Sequence, residues 1–404
     1  MFINHKLIQM KIKFILLFLF LFSCMDKEFK RDEIDDISLN KIQVLGTHNS
    51  YSLPIDSIIK SISEPRINKV LSYYLKNLNE EQITKYKEFH PNEINFMDGL
   101  SYSFPDFKKQ LDFGLRSLEL DVYYDPNGGL FSKPASFKFL EKNGYSLKNV
   151  SPFDSTPLKD AGFKIMHIPD VDFRSHYPTF KDALLELKQW SELNKGHLPI
   201  FILIEAKDSN IPVFPESTNV LPYDKKAFIE LDQEILAYLG REKLIIPDDV
   251  QGEYETLNEA IRLNGWPSIN ESRDKFLFLL IPSGGGITEN KNYFDEKEGL
   301  KNKIMFIRSE PGKKHSAFLL LDNAIVRGDD IKRYVKEGYL VRTRADIETY
   351  EAKINDFSRA KKAISSGAQI ISTDFYKQGN SYGTSYKVSF PGNKTWRLNP
   401  IFDK

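Results

Sequence analysis

The stretch Ile42-Gln-Val-Leu-Gly-Thr-His-Asn-Ser50 starts as a short apolar run and turns polar at His48 and Asn49. An apolar run of this length, bounded by turn residues, predicts a buried β-strand that ends where the loop begins. Further runs of the same kind follow it along the chain. The eight predicted strands are 42–46, 115–122, 163–167, 199–205, 275–281, 303–307, 338–343 and 368–373.

Helical patterns separate most of the predicted strands. Apolar residues recur at helical spacing in 179–193, 224–239, 257–263 and 347–365. Strands that alternate with helices indicate a parallel sheet, and eight such units predict an α/β protein with a closed (β/α)8 barrel of the TIM type. An open, doubly wound sheet is the alternative, although no glycine-rich dinucleotide motif follows the first strand.

The segment between the first two predicted strands is long for a single crossover. Helical patterns at 67–78 and 80–89 predict a helical insertion, about 52–109, after strand 1 and beside the barrel mouth. Two interpretations of this insertion stay open. It is either ordinary scaffold or a part of the protein that faces the substrate.

The charge balance and the N-terminus narrow the class of protein. The 404 residues carry 56 basic and 56 acidic side chains, so the formal net charge is zero. This balance argues against nucleic-acid binding, which requires a basic face. Near the start, Lys11 and Lys13 precede the apolar run 14–22 and then Ser23-Cys24. This pattern predicts a secretion signal, because the run is shorter than the ~20 residues of a membrane-spanning helix.

The only cysteine, Cys24, follows Leu21-Phe-Ser in a pattern that resembles a bacterial lipoprotein cleavage site. We therefore predict a signal peptide with its lipobox at 1–24, a lipid anchor on Cys24 and a flexible, charged tether at 25–36. An ordinary signal peptide with a free cysteine is the alternative. The barrel domain is then 37–404, and we expect an exported, monomeric lipoprotein of the outer membrane, at its periplasmic face or at the cell surface.

Three carboxylates lie in or at the ends of predicted strands. Glu119 and Asp121 stand two residues apart in one strand, so strand alternation points both to the same face. Glu205 ends the fourth predicted strand. Carboxylates in one cavity raise one another's pKa values unless a cation neutralises them. With the Asn49 amide they form an all-oxygen set of ligands, which suits calcium or magnesium rather than zinc.

Two histidines, His48 and His167, fall at the ends of the first and third predicted strands. A single histidine at such a place is more often a hydrogen-bonded structural residue. In a (β/α)8 barrel, however, the active site lies at the C-terminal ends of the strands, where the carboxylates are also expected. Histidines and carboxylates beside a cation are suited to acid/base chemistry on a phosphate.

Together these residues resemble a known family. The chain is similar to the calcium-dependent phosphatidylinositol-specific phospholipase C enzymes, especially their secreted bacterial branch, from about residue 41 to 376. Relatives that work without a metal typically have Asp after the first histidine, where this chain has Asn49. The similarity is carried by the motifs Gly46-Thr-His-Asn-Ser50, Leu118-Glu-Leu-Asp-Val122, Ile165-Met-His-Ile168 and Leu203-Ile-Glu-Ala-Lys207.

The resemblance implies a distorted (β/α)8 barrel, a bound Ca²⁺ ion and an inositol phospholipid substrate at a membrane surface. It implies that the inositol 2-hydroxyl attacks the phosphorus and forms a cyclic inositol phosphate. His48 then stabilises the transition state, and His167 protonates the departing diacylglycerol oxygen. Either carboxylate of the acidic pair accepts the hydroxyl proton. The implied calcium ligands are Asn49, Glu119, Asp121 and Glu205.

Three cations are candidates for substrate binding. Lys207 lies two residues after Glu205 and so shares its face, where it either reaches the substrate or forms a salt bridge at the rim. Arg342 and Arg344 end the seventh predicted strand. Their guanidinium groups suit a phosphate or the hydroxyls of an inositol ring.

Two other functions fit parts of the sequence. Barrel enzymes that cleave glycerophosphodiesters also use two histidines and a metal, but typically have Arg-Gly after the first histidine, where this chain has Asn49-Ser50. A surface lipoprotein that binds lipid or glycan on an inactive barrel is the second alternative. The presence of both histidines and of all the candidate ligands weighs against it.

Overall fold

The computed structural model of the protein describes residues 33–92, 95–263, 265–282 and 289–402. The chain divides into two compact units, Met1–Ile37 and Ser38–Lys404. The predicted signal peptide (1–24) with Cys24 and most of the predicted tether (25–36) lie outside the described residues. Among the residues that are described, no helix is long and apolar enough to cross a membrane. Everything below concerns the second unit.

Ten strands lie within the described residues of the second unit. They are β1 (Ile42–Gly46), β2 (Ser117–Tyr123), β3 (Lys164–Ile165), β4 (Ile200–Ala206), β5 (Phe276–Pro282), β6 (Phe306–Ile307), β7 (Phe318–Asn323), β8 (Leu340–Arg344), β9 (Ile370–Ser372) and β10 (Trp396–Leu398).

Eight of these strands form a parallel barrel. Their order is β6-β5-β4-β2-β1-β9-β8-β7, and a parallel bridge between Arg308 and Phe318 joins β6 to β7. The ring is distorted at β1, which pairs with β2 only at Gly46 because the antiparallel β10 occupies its earlier residues. The predicted α/β class and the distorted (β/α)8 barrel are confirmed.

The strands β4 and β5 form the most regular wall of the barrel. Every residue of both strands is buried, and their parallel pairing runs without a slip from Ile200 opposite Phe276 to Ala206 opposite Pro282. Both sequences are apolar on both faces, as expected for strands that lie between a barrel interior and an outer layer of helices. Glu205 is the only charged residue in either strand and lies at the C-terminal end.

One predicted strand is wrong, and one barrel strand was missed. The predicted strand 163–167 is only the two-residue β3, which runs antiparallel to β2 and lies outside the ring. Its apolar character has another cause, since Met166 is buried in a separate cluster with Phe173. The missed strand is β7, which continues into a helix at Ala324 without the glycine or proline that marks a strand end.

Thirteen α-helices lie within the described residues. They are α1 (Ser57–Lys76), α2 (Glu80–Phe89), α3 (Phe96–Gly99), α4 (Phe107–Asp112), α5 (Ala135–Lys142), α6 (Phe180–Leu193), α7 (Lys225–Leu239), α8 (Pro247–Gln251), α9 (Leu257–Arg262), α10 (Ile269–Ser272), α11 (Ala324–Lys336), α12 (Tyr350–Ile354) and α13 (Ser358–Ser366). Short 3₁₀ turns occupy Leu39–Lys41, Leu147–Asn149, Thr156–Lys159, Arg241–Lys243 and Pro391–Asn393.

The predicted helical patterns are helices in the structure, but α1 begins at Ser57, before its pattern at 67–78, α11 was not predicted, and one pattern is divided. The patterns at 179–193 and 224–239 correspond to α6 and α7. The pattern at 347–365 is not one helix but two, α12 and α13. Asn355 separates them in a left-handed conformation with φ of 58°, which an asparagine tolerates better than most residues but which ends a right-handed helix.

The helical insertion between β1 and β2 is confirmed, and it contains α1 to α4. The side chain of Asp56 caps α1 by accepting hydrogen bonds from the amides of Ile58 and Ile59. A reciprocal capping box between Asn79 and Gln82 starts α2. No residue of α2 is fully buried. The pair α1 and α2 is called the hairpin below.

Candidate active site

The predicted site residues meet at the C-terminal ends of the barrel strands. Most of them line one cavity of about 200 Å³. This volume lies below the roughly 300–1,000 Å³ of typical drug-sized pockets, so the cavity fits a headgroup rather than a whole lipid. Its wall contains His48, Glu119, His167, Glu205, Lys207, Arg342 and Arg344.

The close approach of β1 and β2 sets the position of the first motif. At Gly46 a Cβ atom would lie 2.4 Å from the carbonyl oxygen of Ser117, so no larger residue fits there without a shift of the strands. Three residues later, Asn49 takes a left-handed backbone conformation with φ of 46°. The hydroxyl of Ser50 then accepts a hydrogen bond from the Glu119 amide at 2.8 Å. The sharp turn therefore fixes Asn49 beside the acidic strand.

The three carboxylates form one acidic cluster. Glu119, Asp121 and Glu205 each offer an oxygen, and these oxygens lie within 4.8 Å of one another. The parallel register brings this about, because Asp121 on β2 is directly opposite Glu205 on β4. Glu119 lies on the same face of β2, two residues earlier. The structure thus brings the three carboxylates together as the sequence predicted, although only Glu119 and Glu205 line the cavity itself.

Burial makes the cluster costly to ionise without a cation. It raises the pKa of Glu119 to about 7, although the Arg342 guanidinium acts in the opposite direction. Burial likewise raises the pKa of Asp121 to about 6, with Lys207 opposing and Glu205 adding to the increase. A positive charge held among these oxygens would remove much of this cost.

The residues present fit a hard cation. Oδ1 of Asn49 and Oδ1 of Asp121 are buried and have no hydrogen-bond partner in the described part of the chain. The Asn49 amide is oriented by its Nδ2, which donates to the Tyr102 hydroxyl at 2.6 Å and leaves Oδ1 available. Oxygen atoms from Asn49, Asp121, Glu119 and Glu205 are the ligand type that Ca²⁺ prefers.

His167 is positioned by a loop rather than by a barrel strand. Its Nδ1 is 2.9 Å from Oδ2 of Asp172, and its amide donates to the Asp172 carbonyl at 3.1 Å. Because an ionised carboxylate only accepts hydrogen bonds, Nδ1 of His167 carries the proton in this contact. The other ring nitrogen, Nε2, is then the one left to bind or release a proton. Sequence reasoning missed Asp172, although an acid five residues after the histidine was the available signal.

His48 lies in a strongly positive part of the cavity wall. Burial, followed by the charges of Arg344 and Arg342, holds its pKa well below the usual 6.5, so the ring is neutral near pH 7. Its Nδ1 is 3.5 Å from Oδ1 of Asp374, a buried residue that follows β9. The same carboxylate lies 3.5 Å from the Arg344 guanidinium through its other oxygen.

Arg342 has a supporting position in the structure. Its Nη2 lies 2.5 Å from Oε2 of Glu119, its Nη1 lies 2.5 Å from Oδ1 of Asp322, and its Nε donates to the Ser372 hydroxyl at 3.2 Å. The sequence predicted that Arg342 contacts the substrate. The structure shows in addition that Arg342 contacts Glu119, a candidate calcium ligand. Asp322 was missed because it lies on the unpredicted strand β7.

Lys207 contacts the acidic cluster from the cavity side. Its ammonium lies 3.0 Å from Oε1 of Glu205 and 3.3 Å from Oδ2 of Asp121. The sequence left two roles open for Lys207, contact with the substrate or a salt bridge at the rim. Both have a basis in the structure, because the lysine lines the cavity and is also paired with carboxylates. The acidic partners hold the pKa of Lys207 well above its usual value even though burial acts to lower it.

The insertion forms the apolar side of the cavity. Phe89, Phe96, Leu100 and Tyr102 all line it. His90 also lines it, with Nδ1 2.7 Å from Oε1 of Glu348, a residue that follows β8. Of the two interpretations of the insertion, this position favours the one in which the insertion faces the substrate.

Comparison with known proteins identifies a family but no curated relative. A family model described as phosphoinositide phospholipase C, Ca²⁺-dependent, matches residues 37–400. No curated protein matches the sequence significantly.

Several solved structures are similar to this chain. One is a calcium-dependent phosphoinositol-specific phospholipase C from a Pseudomonas species, at 15% identity and a TM-score of 0.47, which covers 91% of this chain and 97% of that one. A calcium-dependent enzyme from Streptomyces antibioticus matches at 18% identity and 0.46, covering 83% and 94%. The phosphatidylinositol-specific enzyme of Listeria monocytogenes matches at 11% and 0.41, covering 84% and 90%.

Proposed function

Because the chain belongs to the family of calcium-dependent phosphoinositide phospholipase C enzymes, we propose that it cleaves phosphatidylinositol into diacylglycerol and a cyclic inositol phosphate. One observation carries this proposal: both candidate catalytic histidines line the same cavity as Glu119 and Glu205. In the proposed reaction the inositol 2-hydroxyl attacks the phosphorus, and the bond from phosphorus to the glycerol oxygen breaks.

The candidate calcium ligands are Asn49, Glu119, Asp121 and Glu205, and the proximity of their oxygens supports this role. When bound, Ca²⁺ supplies positive charge to the phosphoryl oxygens and acidifies the attacking hydroxyl. Arg342 keeps Glu119 in place through the contact between Nη2 and Oε2.

His167 is proposed as the general acid. The hydrogen bond from Nδ1 to Asp172 fixes the ring, so that its Nε2 transfers the proton to the departing diacylglycerol oxygen. Asp172 is a positioning residue in this scheme, because it acts only through His167.

His48 is proposed to donate a hydrogen bond to the phosphoryl group. Its lowered pKa supports this role, since a neutral imidazole offers one N–H donor without placing a further positive charge beside the cation. One of the two carboxylates on β2, Glu119 or Asp121, accepts the proton of the attacking hydroxyl. Arg344 is placed on the cavity wall to contact the phosphate or the inositol ring.

The charges of the cavity favour an inositol without further phosphates. Lys207, Arg342 and Arg344 line the cavity, and each of them is already paired with a carboxylate. The undescribed residues 93–94 and 283–288 include no lysine or arginine. A second phosphate group would therefore find no unpaired lysine or arginine in this cavity.

The hairpin is proposed to contact the lipid surface around the substrate. Its second helix ends at Phe89, which lines the cavity, and Tyr73 and Tyr74 of its first helix are 74% and 50% exposed. Tyrosine is favoured at membrane surfaces because its ring is apolar and its hydroxyl is polar. We further propose that the protein is exported and anchored through Cys24, with residues 25–36 as a tether.

The test uses the purified protein with phosphatidylinositol vesicles and follows the phosphorus-containing products by ³¹P NMR. We expect a cyclic inositol phosphate, no turnover with excess chelator, and full recovery when calcium is added back. We also expect His48→Ala to abolish cleavage while the melting temperature stays nearly unchanged.

Each alternative function gives a different result in this assay. Release of free glycerol phosphate from glycerophosphodiesters, without any cyclic product, would favour the rival diesterase. No turnover at any calcium concentration would indicate a binding protein. The anchor is tested separately by mass spectrometry of the membrane fraction, where Cys24→Ala should abolish lipid modification.

A further inference from the structure

Lys207 shares its partners with the proposed calcium site. Its ammonium lies 3.0 Å from Glu205 and 3.3 Å from Asp121, which are two of the three carboxylates of the acidic cluster. The structure gives this ammonium no other hydrogen-bond or ion-pair partner among the described residues. The lysine and the ion therefore depend on the same negative charges.

The other cation of the cluster is held differently. Arg342 is fixed at three points, by Glu119, Asp322 and Ser372, and two of these partners are not candidate ligands. Lys207 has a flexible four-carbon stem and lines the open cavity. If one cation has to move when the ion binds, Lys207 is the one that is free to do so.

A calcium ion and the lysine cannot keep these partners at the same time without a penalty. Ca²⁺ takes six to eight oxygen ligands and commonly binds carboxylates through both oxygens. An ammonium in contact with Asp121 and Glu205 would lie within a few ångströms of an ion held by the same groups, and like charges at that distance repel strongly.

We propose that Lys207 is an internal competitor of calcium. It neutralises Asp121 and Glu205 in the calcium-free protein, and calcium binding displaces its ammonium into the cavity, where it faces the phosphate of the substrate. This inference rests on the proposed calcium site. Its consequence is an order of events, because the lysine becomes available to an anionic ligand only after the ion is bound.

The first test measures calcium binding by isothermal titration calorimetry, without substrate. Lys207→Met should tighten the dissociation constant for calcium by about tenfold or more, because a competing positive charge is removed. The same variant should melt at a lower temperature than the wild type in chelator, because Asp121 and Glu205 lose the ammonium of Lys207. Lys207→Arg keeps the charge and should bind calcium no more tightly than the wild type.

The matched control is Lys313→Met. Lys313 donates to both oxygens of Glu289 at 2.9 Å but lies outside the cavity, so its loss should leave calcium binding unchanged. A second readout is acylation of Lys207 by an amine-reactive reagent, followed by mass spectrometry. The lysine should react faster in calcium than in chelator.

The outcomes separate this inference from the proposed function. If the wild type binds calcium but Lys207→Met binds it equally or more weakly, the competitor role is wrong and the calcium site stands. Equal acylation of Lys207 in calcium and in chelator would also overturn the displacement. If the wild type binds no calcium at all, the site and the inference fail together.

Discussion

Arg342 on β8 reaches across the barrel interior to Glu119 on β2, with 2.5 Å between Nη2 and Oε2. The two strands are not neighbours, since β1 and β9 lie between them in the sheet. The pair therefore joins two strands that are not hydrogen-bonded to each other in the sheet. A buried guanidinium that joins two walls of the barrel couples the geometry of the acidic cluster to the integrity of the fold.

Loss of Arg342 should be costly. In Arg342→Met the carboxylates of Glu119 and Asp322 stay buried without their partner, and breaking such a pair typically costs about 3–5 kcal/mol. Urea unfolding in chelator measures this change in the free energy of unfolding. Arg333→Met is the control, because its ion pair with Asp330 is largely exposed and should contribute less than about 1 kcal/mol. Equal costs for both variants would contradict the assigned role.

Removal of the proposed general acid should impair the chemical step rather than binding. His167→Ala should lower kcat by about 10²–10⁴-fold. Asp172→Asn, which leaves the ring but loses the carboxylate that orients it, should lower kcat by a smaller factor and leave KM nearly unchanged. Steady-state kinetics at saturating calcium measure both. A variant of His167 with wild-type kcat would remove it from the mechanism.

The exposed tyrosines of the hairpin should matter only at an interface. Tyr73→Ser with Tyr74→Ser should lower activity on phosphatidylinositol vesicles by about tenfold, because roughly 1.4 kcal/mol of interfacial binding corresponds to that factor. Activity on a monomeric short-chain substrate should not change. Vesicle sedimentation provides an independent measurement. An equal loss on both substrates would mean that the tyrosines support the fold.

His197 should make stability depend on pH. Burial lowers its pKa to about 4, and its ring contacts the Leu198 carbonyl through Nδ1 and the Ser191 hydroxyl through Nε2. Between pH 6.5 and 4 the unfolded chain binds a proton that the folded protein does not. Stability should therefore fall by up to about 3 kcal/mol as the pH drops through this range. Chemical denaturation across this pH range measures the loss, and NMR titration of the histidine checks its origin. A midpoint near 6.5 would contradict the assignment.

The local sequence was sufficient to predict most of the barrel strands. Apolar runs located β1, β2, β4 and β5, because a strand that is buried on both faces is mostly apolar. The prediction failed at β7 and at the false strand 163–167. The false strand arose because an apolar run records burial but not whether the partner is the barrel or a separate cluster. The strand β7 was missed because no glycine or proline separates it from the helix that begins at Ala324.

The candidate site was predictable in its motifs but not in its supporting contacts. Alternation placed Glu119 and Asp121 on one face, and the end of a strand placed Glu205 near them. The partners Asp172 and Asp322 were missed, since the first depends on a loop conformation and the second lies on β7, the unpredicted neighbour of β8. Such pairs leave no periodic signal in the sequence.

The contact between β6 and β7 gives the ring a seam. Most neighbouring strands are joined by ladders such as the one between β4 and β5, but here one bridge, Arg308 with Phe318, joins two-residue β6 to its neighbour. The other single contact of the ring, Gly46 of β1 with Ser117 of β2, is flanked by the pairing of β1 with β10. Local opening follows the path that breaks the fewest hydrogen bonds. Native-state hydrogen exchange should therefore begin along this line, so the barrel parts there first while the acidic cluster on the opposite wall stays assembled.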